Sequence, residues 1–222
     1  MSQRSSSTCR VVVLISGGGT NLQALIDTAA TNTLGPSQLV GVLSNRPGAK
    51  GLARAAQADI PTVVLDHTQF TSRLEFDRAM QRELVAWQPD LIVLAGFMRI
   101  LSAEFVHGYD GRMINIHPSL LPRYPGLHTH EQALASGDTE HGATVHFVTD
   151  ELDGGPPIVQ SRVAIAAEDT PATLAHKVQR KEHQMYPAVV RWFAEGRLTM
   201  KSQHAYMDGE IINATGLNWD EC

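Results

Sequence analysis

Between residues 11 and 117 the chain alternates short β-branched apolar runs with stretches of helical spacing, and no other feature restricts the fold as tightly. Val11 to Ser16 is an extended apolar run closed by Gly17, Gly18 and Gly19. Thr20 to Ala30 then places Leu22, Leu25, Ile26 and Ala29 on one helical face. Leu39 to Ser44, Thr62 to Leu65, Leu91 to Ala95 and Met113 to His117 read as further strands, with helices over Gly51 to Ala58 and Ser72 to Trp87. Strands joined through helices of this length pair in parallel by right-handed crossovers. The expected fold class is therefore α/β, a doubly wound and mostly parallel sheet.

Later in the chain the pattern changes. Ala143 to Val148 and Ile158 to Ala164, separated by the turn-rich DELDGGPP, predict an antiparallel extension of that sheet. Thr170 before Pro171 predicts the capped start of a long C-terminal helix running to Gly196, with a kink or break at Pro187. A hairpin is expected around Met207, Asp208 and Gly209. Residues 1–9 are expected to form a disordered leader and residues 10–222 a single domain.

A length of 222 residues and 24.2 kDa suffices for one substantial core. The net charge of −5, the pI near 6.0 and the lack of any Lys/Arg-rich run argue against a nucleic-acid-binding surface. Cys9 and Cys222 are the only cysteines, so neither a disulfide framework nor a thiolate metal site is expected, and a reducing cytoplasm fits. The apolar run Val11 to Ile15 is too short for a signal-peptide core or a membrane span.

Backbone N–H groups left free at a helix start bind anions, and glycine lets the anion approach closely. The segment SGGGTN, between the first strand and the first helix, therefore points to a phosphate site rather than only to a tight turn. A P-loop needs Lys after its last glycine, where Thr20 and Asn21 stand here; the dinucleotide fingerprint needs a third small residue, where Leu22 stands. No acidic ribose-binding residue follows the second strand, which leads into Ser44, Asn45 and Arg46. A phosphomonoester such as a ribose phosphate fits better than ATP or NAD.

The stretch from Ile114 to Gly155 gathers an amide, imidazoles and carboxylates around proline- and glycine-bound turns. Pro118 holds His117 extended, which places the imidazole at the carboxyl end of a strand, where open α/β sheets bind ligands. Asn115 lies two residues earlier and so points to the same face. Acyl transfer passes through a tetrahedral oxyanion, and a fixed donor aimed at it contributes about 3 to 4 kcal/mol. Asn115 and His117 are such donors. Asp153, in a Leu-Asp-Gly-Gly turn, is placed to stabilise protonated His117 and relay protons through water. Each has a plainer alternative, a satisfied core histidine or a turn aspartate. His128 and His130 lack a third ligand at recognisable spacing, so no metal is expected, and His141 and His146 read as structural.

Taken together, SGGGTNLQALID, LAGFMRIL, INIHPSLLPRYPGLHTHEQAL, HGATVHFVTDELDGGPPIVQ and QRKEHQMYP closely resemble the phosphoribosylglycinamide formyltransferase family over about residues 10 to 205. The resemblance implies a Rossmann-like formyltransferase fold, its N-terminal half binding a ribonucleotide phosphate and its C-terminal half carrying folate and catalysis. It implies transfer of the formyl group of 10-formyltetrahydrofolate, a co-substrate, to the amine of glycinamide ribonucleotide in purine biosynthesis, without a metal. Asn115, His117 and Asp153 correspond to the catalytic set, and Gly19, Thr20, Asn21 and Glu182 to the ribonucleotide contacts. Arg73, Met98, Arg99, Ile100, Leu101, Asn115, Thr149, Asp150, Glu151, Leu152 and Asp153 correspond to the folate contacts. The implied partners are those two small molecules, with no nucleic acid and no membrane, in a cytoplasmic monomer or homodimer.

The chain departs from many relatives in reading Gly-Gly-Gly-Thr, where they carry a polar residue between two glycines and then serine; Thr20 keeps the hydroxyl. Formyltetrahydrofolate hydrolase would bring an extra N-terminal domain, not expected in a chain whose first strand starts near residue 10, and methionyl-tRNA formyltransferase a C-terminal tRNA-binding domain, for which neither the length nor the charge leaves room. A non-catalytic sensor of nucleotide phosphates on the same sheet is the rival from a different class.

Overall fold

The computed structural model describes residues 8–221. Its first half alternates β1 (Cys9–Ile15), α1 (Thr20–Ala30), β2 (Ser37–Ser44), α2 (Gly51–Gln57), β3 (Thr62–Val64), α3 (Arg73–Trp87), β4 (Leu91–Leu94), α4 (Ala103–Gly108) and β5 (Met113–His117). There follow α5 (Thr129–Ala135), β6 (Glu140–Phe147), β7 (Pro157–Ala164), α6 (Pro171–Ala194), β8 (Leu198–Lys201), β9 (His204–Met207), β10 (Glu210–Ile211) and β11 (Leu217–Asn218). Eight strands form one sheet in the order β11-β7-β6-β5-β4-β1-β2-β3, and β8 to β10 form a small second sheet. Strands β3, β2, β1, β4 and β5 pair in parallel, while β6 and β7 extend the sheet antiparallel. The winding reverses at β1, between β2 and β4, and the crevice of such a sheet opens at the strand ends of this switch.

Helices cover both faces, which is why β1 and β4 are apolar on successive residues instead of alternating. Val11, Val13 and Ile15 pack beneath α1 and α6 with Leu22, Leu25, Tyr186 and Val189. Val12 and Leu14 point the other way, against Phe76, Met80 and Leu84 of α3 and Phe105 of α4. Tyr186, fully buried, directs its hydroxyl at the carbonyls of Leu94 (2.8 Å) and Ile114 (3.1 Å), tying α6 to the ends of β4 and β5.

Two expectations need correction. The first strand begins at Cys9, whose N–H donates to the Pro36 carbonyl at 2.7 Å, so the sheet already includes the last residue assigned to the leader. Burial, with help from Asp90, pushes the Cys9 thiol up to about 12. Residues 1–7 of that leader lie outside the described residues. Second, α6 is not broken at Pro187: the residue is buried beside Tyr186 and Val189, and packing on the sheet outweighs the one backbone donor that proline removes. The expected hairpin at Asp208 and Gly209 is present, and it is joined by another at Ser202 and Gln203, both left-handed (φ 49° and 60°) without the Asn-Gly or Asp-Gly sequence that usually marks such a turn. Short α4, α5 and β11 also escape the periodicity because each is too brief to carry one.

Candidate active site

Two side chains leave β5 where it meets the antiparallel extension. Asn115 sits directly opposite His146 in the β5–β6 ladder, and its amide nitrogen lies 3.1 Å from His146 Nε2. His146 Nδ1 donates to the Phe147 carbonyl at 2.8 Å, which leaves Nε2 as the acceptor. Burial drives the His146 pKa down to about 4, against the smaller opposing influences of the Phe147 carbonyl and Asp153. The ring is neutral at physiological pH. One Asn115 amide hydrogen is thereby fixed on His146, and the second remains for a ligand.

His117 Nε2 donates to the Tyr124 carbonyl at 2.8 Å, and Nδ1 faces Asp153 Oδ2 at 3.5 Å. The other carboxylate oxygen lies 3.9 Å from His146 Nε2. Both partners are nearly enclosed, their side chains 7% and 9% exposed. The loop that brings Asp153 here is held at several points. Asp153 is left-handed (φ 52°), and its Oδ2 accepts the Gly126 N–H at 2.8 Å. Gly155 lets the chain close on β6, since a Cβ there would stand 1.9 Å from the Phe147 carbonyl oxygen. Behind the site, Thr144 Oγ1 donates to the Ser119 carbonyl (2.7 Å) and accepts from Leu121 N–H (3.1 Å), shaping the turn that follows β5 through the cis Leu121–Pro122 bond.

A cleft of about 530 Å³, counted to its open mouth, lies against this group. Leu94, Phe97, Arg99, Ile100 and Leu101 form one wall, Thr149 to Asp153 the other, and Asn115 and His146 line it as well. The Arg99 guanidinium covers the Phe76 ring at 4.9 Å, and its Nε is buried without a hydrogen-bond partner. The wall is pinned from below: Met98 N–H donates to Ser16 Oγ (2.7 Å), Ser16 Oγ donates to Asn45 Oδ1 (2.5 Å), and Ser102 N–H donates to Asp77 Oδ2 (2.6 Å). Arg99, Ile100, Leu101, Thr149, Asp150, Glu151 and Leu152 thus line one cleft. Met98 and Arg73 do not line the cleft. The Met98 side chain is 60% exposed and only its backbone is anchored, while Arg73 is exposed at the first residue of α3, one turn before Phe76.

The glycine turn lies at the carboxyl end of β1. Gly19 is left-handed (φ 69°), and a Cβ on it would stand 2.6 Å from Gly51 Cα, so only glycine fits. No side chain caps α1, which leaves its first backbone donors free for a ligand. Thr20 Oγ1 accepts from Gln179 Nε2 (3.0 Å), and Asn21 Nδ2 donates to Glu182 Oε2 (2.9 Å), so Gly19, Thr20, Asn21 and Glu182 cluster. Burial raises the Glu182 pKa, partly offset by the Asn21 hydrogen bond.

Sequence reasoning missed His146, Gln179 and the Tyr124 carbonyl. Gln179 carries a usable signal, three residues before Glu182 on one helix face. His146 carries one only through strand register. His130 and His141 meet each other at 3.1 Å, and among the described residues no group of three or more His, Cys, Asp or Glu is arranged to hold a metal ion. No helix among them is long and apolar enough to cross a membrane.

A mostly parallel sheet with a glycine turn after β1, and an amide and an imidazole on β5 facing a carboxylate from the loop before β7, defines the architecture of an α/β group-transfer enzyme. Residues 9–190 match the family described as formyl transferase, and the chain belongs to that family. It is 53% identical to phosphoribosylglycinamide formyltransferase of Escherichia coli (strain K12), over 95% of this chain and 99% of the relative. The enzyme of the same name from Haemophilus influenzae is 45% identical over 93% and 97%. Among solved structures, the phosphoribosylglycinamide formyltransferase of Coxiella burnetii superposes with a TM-score of 0.90 at 52% identity, covering 95% of this chain and 98% of that one.

Proposed function

We propose that this chain transfers the formyl group of 10-formyltetrahydrofolate to the amine of glycinamide ribonucleotide, giving formylglycinamide ribonucleotide and tetrahydrofolate. The observation that carries the reading is the convergence of Asn115, His117 and Asp153 beside a cleft at the sheet's carboxyl edge. Gly19, Thr20, Asn21 and Glu182 hold the ribose phosphate. Arg99 to Leu101 and Thr149 to Asp153 hold the folate. On this reading the first half of the chain carries the phosphate site and the second half most of the catalytic groups.

A glycinamide amine has a pKa near the α-amino value of about 8, so an appreciable fraction is already neutral and needs no strong base. The site must place it against the formyl carbon, stabilise the oxyanion and move one proton. The free Asn115 amide hydrogen and His117 Nδ1–H donate to the developing oxyanion. Asp153, anchored by Gly126, orients the water that takes a proton from the amine nitrogen once its attack on the formyl carbon has made it an ammonium, and delivers a proton to the folate nitrogen as its bond to that carbon breaks. The reaction belongs in the cytoplasm, where these small-molecule substrates are free.

The test is to mix the protein with glycinamide ribonucleotide and a 10-formylfolate and follow the deformylated folate by absorbance. Turnover with both substrates and none without the ribonucleotide is expected. Near-normal turnover of His117→Ala and Asp153→Asn would refute the assignment of roles.

A further inference from the structure

We propose that Asp138 is a positioning residue for His117 and Asp153, acting through Tyr124, a role that rests on the formyl-transfer reading above. The span from Tyr124 to Gly126 touches both groups at once. The Tyr124 carbonyl accepts from His117 Nε2 at 2.8 Å. Two residues later the Gly126 N–H donates at 2.8 Å to Asp153 Oδ2, the same oxygen that faces His117 Nδ1 at 3.5 Å. This short span therefore sets both the orientation of the imidazole and its separation from the carboxylate. A displacement of about 1 Å at reacting groups costs about 100-fold in rate, so whatever fixes the span fixes the chemistry.

The span does not hold its own shape. Tyr124 is left-handed (φ 54°), a conformation rare for a bulky side chain, and the following Pro125 favours an extended residue in its place. Such a residue persists only where its surroundings over-determine it. Here two contacts do so. Ser119 Oγ donates to the Arg123 carbonyl at 2.6 Å, fixing the peptide that enters Tyr124. The Tyr124 hydroxyl donates to Asp138 Oδ2 at 2.7 Å, fixing its far end.

Asp138 stands in the turn between α5 and β6, with its side chain only 10% exposed. Its other oxygen accepts from Arg123 Nη2 at 2.7 Å, but that arginine is 57% exposed and its ion pair is screened by solvent. The enclosed hydroxyl-to-carboxylate bond is the firmer constraint. The Tyr124 ring is packed independently of it, 5.5 Å from the Arg123 guanidinium and 6.3 Å from the His141 ring. Deleting the hydroxyl alone thus releases the anchor and leaves the packing in place.

The test uses the full chain, the variants Tyr124→Phe, Asp138→Ala and Asp138→Asn, and the double variant Tyr124→Phe with Asp138→Ala. In protein carrying isotope-labelled histidine, NMR reads the His117 Nε2–H resonance, which the Tyr124 carbonyl protects from exchange, and this readout needs no turnover. Tyr124→Phe and Asp138→Ala are expected to broaden or lose that resonance and to lower kcat about 10- to 100-fold, while the KM of each substrate changes less than about threefold. Asp138→Asn, which keeps an acceptor for the hydroxyl, should retain the resonance and hold kcat within about threefold of wild type. The double variant should fall no more than about twofold below the worse single one, because both changes delete the same contact. A protected resonance with kcat within about twofold of wild type in Tyr124→Phe overturns the proposal, as do multiplying losses in the double variant, KM rises as large as the fall in kcat, or an Asp138→Asn as impaired as Asp138→Ala. If Asp138→Ala fails to fold, Tyr124→Phe decides alone. A wild type whose resonance is lost in Tyr124→Phe but which transfers no formyl group would sink the proposed function and leave this inference standing. Normal transfer by wild type and Tyr124→Phe alike would do the reverse.

Discussion

Asn115 and His146 face each other across the β5–β6 ladder, 3.1 Å apart, with the imidazole accepting from the amide. The pair fixes the side chain that is proposed to hold the oxyanion, and the buried ring does so only while neutral. His146 is normally protonated near 6.5 and in the folded chain near 4, so the unfolded state binds the extra proton. Its contribution to stability is full above about pH 6.5 and is lost as pH falls toward 4. His141, also pushed down to about 4 by burial, acts with the same sign. Urea midpoints measured from pH 7 to pH 4 are expected to fall, and His146→Gln, which keeps an acceptor for Asn115, should flatten part of that slope. An unaltered slope would contradict this account.

Asp153→Asn separates the carboxylate's chemistry from its structural part. Asparagine tolerates the left-handed backbone at this position and can still accept from Gly126, so the fold should survive. Turnover should fall by at least about 100-fold, the usual contribution of a positioned proton-transfer group. Circular dichroism together with single-turnover formyl transfer checks both halves.

Ser16→Ala removes the hydroxyl that joins the glycine turn to the cleft wall, leaving Met98 N–H and Asn45 Oδ1 without that partner. A buried polar group left unpaired costs about 1 to 3 kcal/mol. Thermal unfolding should register the loss, and steady-state kinetics should show the KM for the formyl donor rising more than that for the ribonucleotide, because the freed segment is Met98 to Leu101.

Tyr186→Phe leaves the aromatic packing of α6 intact and deletes only the hydroxyl on Leu94 O and Ile114 O. The expected loss is about 1 to 2 kcal/mol in urea unfolding, since both strand-end carbonyls are buried away from water. Because β4 and β5 carry the cleft wall and Asn115, kcat should fall with stability. A fully stable variant would show those carbonyls satisfied in another way.

Much of the architecture was legible in local pattern. The helix over Thr20–Ala30 and the strand over Met113–His117 occupy the residues that periodicity assigned them, and α3 begins one residue after its Ser72 cap. Register was not legible. His146 reads along the chain as one more core histidine, and only its alignment opposite Asn115 gives it a ligand-facing partner.

The order of residues alone determined the alternating elements, the left-handed glycine after β1 and the extended end of β5, because each follows from the periodicity and backbone sterics of neighbouring residues. Tertiary structure alone decided that Tyr124 holds one nitrogen of His117, that Asp153 reaches the other, and that Arg54 crosses 36 positions to the Gly18 carbonyl. Those contacts join residues brought together only by loop closure and strand register, and no short stretch of sequence encodes a distance between segments that meet only after the core has packed.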